Sequence, residues 1–227
     1  MPERRYSRLE FVLVIGVAFG MSILGSVMSL LYGRTVAEDV SQQAYGTAWL
    51  YHVIYGELMC APFLAGILYA GGWRLRDFPC SINRAATLIG ILAFAIAWTA
   101  QTVSTTVLVE LFRSLRGEID SLWSYRPAAR TSLVAVYLAS IINPVFEEVI
   151  VCGYVIPVIA RRYGETTAIN VSVLIRASYH LYQGIAALPF HVAYGLMQAY
   201  MYVRFRNLWP LIVSHALLDF FALLYFV

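Results

Sequence analysis

Lysine is absent from the 227 residues, and charge of either sign is scarce: Asp, Glu and Arg make up 13% of the chain against 60% hydrophobic residues. A solvated globular surface needs more charge than that, so a water-soluble domain is excluded and a bilayer is the expected solvent. The 16 basic residues are all arginines, scattered in ones, twos and threes with a net charge of +3, and the lack of a basic stripe argues against a nucleic-acid partner. Cysteine is limited to Cys60, Cys80 and Cys152, with no C-x-x-C spacing, which leaves no disulfide framework or zinc knuckle. The polar and apolar alternation of a membrane barrel is missing, and helices are the remaining way to satisfy a backbone in lipid. No internal repeat or low-complexity linker divides the chain, which reads as a single membrane domain over 1–227.

What the chain has instead is long apolar runs, at about 11–32, 48–72, 85–109, 131–160, 166–184, 187–204 and 208–227. Each is near the roughly 20 helical residues that a crossing requires. The expected fold is all-α, a polytopic transmembrane helical bundle of about seven spans. The first run is too long for a signal-peptide core and reads as a retained span. Arg4, Arg5, Arg8, Arg74, Arg76, Arg84, Arg161, Arg162, Arg204 and Arg206 fall on one side, against Arg34, Arg113, Arg116, Arg126 and Arg130 on the other. That imbalance predicts a cytoplasmic N-terminus and an outside C-terminus, in the plasma membrane if the source is bacterial. The 110–130 segment, with Glu110, Glu118, Asp120, Trp123 and Tyr125, reads as an amphipathic loop along the interface. Gly16 and Gly20 have the small-xxx-small spacing that lets helices approach, so a packing role is expected.

Chemistry enters with the fourth run, where Glu147 and Glu148 interrupt Val, Ile, Leu and Ala. An acid at mid-membrane costs about 2.5–3.5 kcal/mol, so an adjacent pair points to use. Neighbouring helical residues project roughly 100° apart, so the two carboxylates have different partners and different roles. Pro144 and Pro157 flank the pair, and each removes a backbone donor and favours a bend. Later runs bring His180 with Arg176 one turn before it, and His215 with Asp219 one turn after it. Counted from the run ends, Glu147 and His180 lie roughly 21 Å deep and His215 roughly 12 Å. Helix tilt would let all three meet in one cavity. His52, Glu57 and His191 have no comparable partners and read as structural or substrate-lining.

At these residues the chain resembles the CPBP family of intramembrane proteases, which includes the CAAX prenyl protease type II enzymes and the bacteriocin-processing and immunity homologues. The family's E-E-x-x-x-R-G is similar to Glu147, Glu148, Val149, Ile150, Val151, Cys152, Gly153; its F-x-x-x-H to Arg176, Ala177, Ser178, Tyr179, His180; and its H-x-x-x-N/D to His215, Ala216, Leu217, Leu218, Asp219. The resemblance implies a catalytic core in 131–227, preceded by three spans and the interfacial loop in 1–130. It also implies hydrolysis of a peptide bond in a membrane-associated or lipidated protein or peptide. In that chemistry Glu147, with His180, activates a water, while His215 and Asp219 attend the developing oxyanion. Glu147, His180 and His215 would also compose a catalytic zinc shell, so the resemblance leaves metalloprotease chemistry open beside the glutamate mechanism.

Two positions depart from the family's pattern. Cys152 stands where the motif has arginine, and Arg176 stands where it has phenylalanine. A buried carboxylate without a cation is expensive, so Arg176 is expected to have taken over the pairing with Glu148. Asp219 is read as orienting His215, by triad logic. Two other functions compete with the peptidase: an inactive scaffold or immunity protein of the same fold, and a small proton-coupled transporter, since buried Glu, Arg and His also mark ion paths. Neither substrate identity nor oligomeric state is written in the sequence.

Overall fold

The computed structural model describes residues 7–31, 46–111, 130–183, 187–224 and 227, and of residues 105, 108 and 109 the backbone alone. Among these residues seven helical rods follow one another without a strand: α1 (Arg8–Leu31), α2 (Thr47–Ala70), α3 (Arg84–Leu111), α4 (Leu133–Tyr163), α5 (Glu165–His180), α6 (Leu188–Phe205) and α7 (Trp209–Leu224). They coincide with the seven apolar runs to within a few residues. The arginines at 4, 5, 34, 113, 116 and 126, and the interfacial loop apart from Glu110, Leu111 and Arg130, lie outside the described residues.

The bundle is turned inside out relative to a soluble protein. Met21 is 81% exposed and Phe63 and Leu174 68%, whereas Arg176, Glu148 and Gln198 are at most 1% exposed. Lipid is the solvent that accepts such a surface, and four of the rods, α1, α2, the Arg84–Ser104 part of α3 and α4, are long and apolar enough to cross it. The chain is a multi-pass membrane protein. The last three rods are shorter, at 16, 18 and 16 residues, and they carry the arginine, histidine and glutamine side chains turned inward.

Packing follows a simple order. Helix α7 lies against α3 and α4, α5 against α6 and the end of α4, α1 against α2 and α5, and α2 against α4. At one end of the bundle the connecting segments tie together. The Leu208 amide donates to the Pro79 carbonyl (2.8 Å), the Ser81 amide to Asn207 Oδ1 (2.8 Å), and Trp73 Nε1 to Glu10 Oε1 (3.0 Å). Arg74, Arg76, Arg84, Arg161, Arg162, Arg204 and Arg206 all belong to this end.

Two glycines permit close approach. A Cβ on Gly90 of α3 would sit 2.7 Å from both the Pro210 carbonyl oxygen and Val213 Cβ of α7. One on Gly153 would sit 3.1 Å from Phe78 Cδ1 and 3.2 Å from Leu208 Cδ1. The second contact sets α7 level with the middle of α4 rather than with its end. Gly16 and Gly20 behave differently from expectation: nothing lies within 4 Å of a Cβ at either, so no helix among the described residues packs there. Gly90→Ala should therefore destabilise the bundle by about 1–3 kcal/mol, because backbone rather than a flexible side chain must yield. Thermal unfolding in detergent should show the loss, and Gly16→Ala should leave the midpoint unchanged or raise it.

Candidate active site

Helix α4 changes character at the acidic pair. It is α-helical from Leu133 to Glu148, turns π-helical from Val149 to Val155, and resumes as an α-helix at Ile156. Pro157 supplies a physical reason, because it has no N–H to offer and its ring crowds the carbonyl four residues earlier, which the wider π turns relieve. Glu147 and Glu148 sit at the last α turn, 5% and 0% exposed, with Pro144 one turn before them.

Arg176 of α5 bridges the two acids. Its Nη2 donates to Glu148 Oε1 at 2.7 Å and its Nη1 to Glu147 Oε2 at 3.3 Å, with the guanidinium side chain 1% exposed. The pairing expected with Glu148 is present, and Glu147 shares it. Cys152, buried one turn beyond Glu148, occupies the place of the motif arginine. The cation thus arrives from the neighbouring helix instead. A single guanidinium serves both carboxylates, and Glu148 Oε2 is buried with no hydrogen-bond partner among the described residues.

His215 of α7 meets Glu148, its Nδ1 lying 2.8 Å from Oε1. The difference in depth between His215 and the acids disappears because Leu208 packs on Gly153, so α7 begins well inside α4's length. Asp219 stays within ion-pair distance of His215 and takes its hydrogen bond from elsewhere. Its Oδ1 lies 3.6 Å from His215 Nε2, beyond hydrogen-bond range, and its Oδ2 accepts from Asn143 Nδ2 at 3.1 Å. The carboxylate bonded to His215 is Glu148.

His180 stands to one side. Its ring stacks on that of His191, with centroids 4.2 Å apart and planes 7° from parallel, and His191 Nε2 is 2.7 Å from Gln183 Oε1. His180 Nδ1 is buried without a partner among the described residues, and no described bond joins His180 to Glu147. Nor do Glu147, His180 and His215 form a ligand group: among the described residues no three His, Cys, Asp or Glu side chains are placed to hold a metal ion. His52 is exposed, whereas Glu57 has a buried Oε2 with no hydrogen-bond partner among the described residues.

Sequence reasoning overlooked three groups here. Asn143 lies one turn before Glu147 and Tyr179 one turn after Arg176's neighbour Ile175, positions that sequence periodicity brings to the acid pair. Tyr194 of α6 lies edge-on to His215 (5.7 Å) and 5.7 Å below the Arg176 guanidinium.

Residues 129–221 match the family model described as Type II CAAX prenyl endopeptidase Rce1-like, a peptidase family consistent with the CPBP resemblance. Glu147, Glu148, Arg176, His180, His215 and Asp219 all fall inside the matched segment, which is less than half of the chain. Comparison with curated proteins found no match, and neither did comparison with solved structures.

Proposed function

We propose that this chain, with its Rce1-like segment at 129–221, is an intramembrane endopeptidase that cleaves a membrane-associated or lipidated protein or peptide with a water activated by Glu147. The observation that carries the reading is the buried chain His215–Glu148–Arg176–Glu147, formed by three helices within lipid. Charged groups at that depth are costly, so a buried cluster of them marks a functional site by default. Described hydrogen bonds to Glu147 all go to Oε2, so Oε1 is the oxygen left to take a proton from water as the hydroxide attacks the carbonyl carbon. His215, as an imidazolium held through Nδ1–H by Glu148 and with Nε2 3.6 Å from Asp219 Oδ1, is the group to donate Nε2–H to the oxyanion. The proton held by Glu147 then passes to the leaving amine, with His180 of α5 proposed as the assisting group. The arginine-bearing end of the bundle is assigned to the cytoplasm by the excess of positive charge, which puts the C-terminus outside.

Zinc bound by Glu147, His180 and His215 would supply Lewis-acid chemistry, but the ligand arrangement does not fit it, so no step is routed through a metal. The test is cleavage of a membrane-anchored peptide library by the purified protein, with and without a strong chelator. Cleavage is expected to survive the chelator and to vanish in Glu147→Ala. Loss on chelation with recovery on added zinc would establish the metalloprotease instead. Full cleavage by Glu147→Ala would overturn the assignment of the base, and flux across proteoliposomes without cleavage would favour a transporter.

A further inference from the structure

Glu147 has a second donor that no motif names. The Tyr179 hydroxyl donates to Glu147 Oε2 at 2.5 Å, on the same oxygen that Arg176 reaches at 3.3 Å. A short O–H···O⁻ bond in a buried setting is among the stronger hydrogen bonds a protein makes. It also fixes the torsion of the carboxylate, since two donors from different directions converge on one oxygen.

Tyr179 is itself held from outside the matched segment. Its ring stacks on Phe19 of α1, with centroids 4.5 Å apart and planes 11° from parallel. Its backbone carbonyl accepts from Ser26 Oγ of α1 at 3.0 Å, and Ser26 is 1% exposed. Phe19 also lies edge-on to Phe146, the residue before Glu147, at 6.0 Å. Two turns of α1, from Phe19 to Ser26, therefore brace the tyrosine, and Phe19 also packs on the side chain next to the acid that it clamps.

We propose that Tyr179 is a positioning residue: braced by Phe19 and Ser26 of the N-terminal helix, it joins Arg176 in pinning Oε2 of Glu147 so that Oε1 alone is turned to water and substrate. This rests on the peptidase reading and deepens it. Helix α1 becomes part of the working unit although residues 129–221 alone carry the family match.

Tyr179→Phe keeps the ring on Phe19 and removes only the hydroxyl. With a peptide that the wild type cleaves, kcat should fall roughly 10–100-fold at unchanged KM, the size expected for losing a hydrogen bond to a charged group. Phe19→Ala should lower kcat in the same direction by a smaller factor. A second measurement needs no turnover: thermal midpoints in detergent of Tyr179→Phe, Glu147→Ala and the double variant. The two single losses should together exceed the double's by about 2–4 °C per kcal/mol of coupling. Wild-type kcat in Tyr179→Phe, or midpoint losses that simply add, overturns the clamp. Absence of cleavage by the wild type overturns the peptidase reading and with it the clamp's purpose, while the cycle still reports whether the bond exists.

Discussion

Arg176→Gln is expected to unfold much of the protein and to abolish activity in what remains. The guanidinium is 1% exposed, and the side chains it bridges are 7% and 0% exposed, so its removal takes the shared cation from two buried carboxylates and leaves them only Tyr179 and His215. Breaking a buried ion pair by deleting one partner costs about 3–5 kcal/mol, a large share of the stability of an ordinary domain. The expected readings are aggregation on size exclusion in mild detergent and a thermal midpoint well below wild type. Arg176→Lys should fare better in stability than in activity, because an ammonium keeps the charge but is a compact point charge where the guanidinium is a fork. The sharpest arm is Arg176→Gln combined with Cys152→Arg. That exchange returns the cation to α4, one turn from Glu148, where the family's motif has it, and it should recover part of the lost midpoint. An Arg176→Gln protein as stable and active as wild type would show that the two acids are held by something other than this pair.

The same arginine shows how far the sequence could be read. Its need of a counter-charge was legible because arginine in lipid is costly wherever the helix turns it. The seven rods were legible for a related reason: apolar length alone dictates a crossing. Vertical offsets were not, since they depend on contacts distant in sequence. His215 reaches Glu148 only because Leu208 and Phe78 close on Gly153, and no count along α7 contains that contact. The surroundings of His180 are likewise illegible: the resemblance places it beside Glu147, and at the end of α5 the chain tightens into a 3₁₀ turn over Leu181–Gln183 that stacks its ring on His191. Gly16 and Gly20 misled because their spacing encodes a surface, and a surface does not name its neighbour. Asn143 and Tyr179 were passed over because neither is rare in a membrane helix, and only the coordinates show them donating to Asp219 and Glu147.

Glu147→Gln should separate chemistry from architecture. An amide of the same shape still offers an oxygen to Tyr179 and to Arg176, and Arg176 keeps its shorter bond to Glu148, so the thermal midpoint should stay close to wild type. Water activation has no such substitute, because an amide oxygen does not hold the proton that the attacking water must release. Cleavage should fall by about 10²–10⁴-fold, the usual worth of a placed general base. Glu148→Gln should give a different pattern. Its Oε1 receives both Arg176 at 2.7 Å and His215 at 2.8 Å, so neutralising it weakens two buried partners at once, and midpoint and rate should drop together. Under the proposed function the two adjacent acids, 100° apart on one helix, divide the work, Glu147 facing the reaction and Glu148 holding its surroundings. A Glu147→Gln variant that unfolds while Glu148→Gln stays folded and inactive would reverse that division.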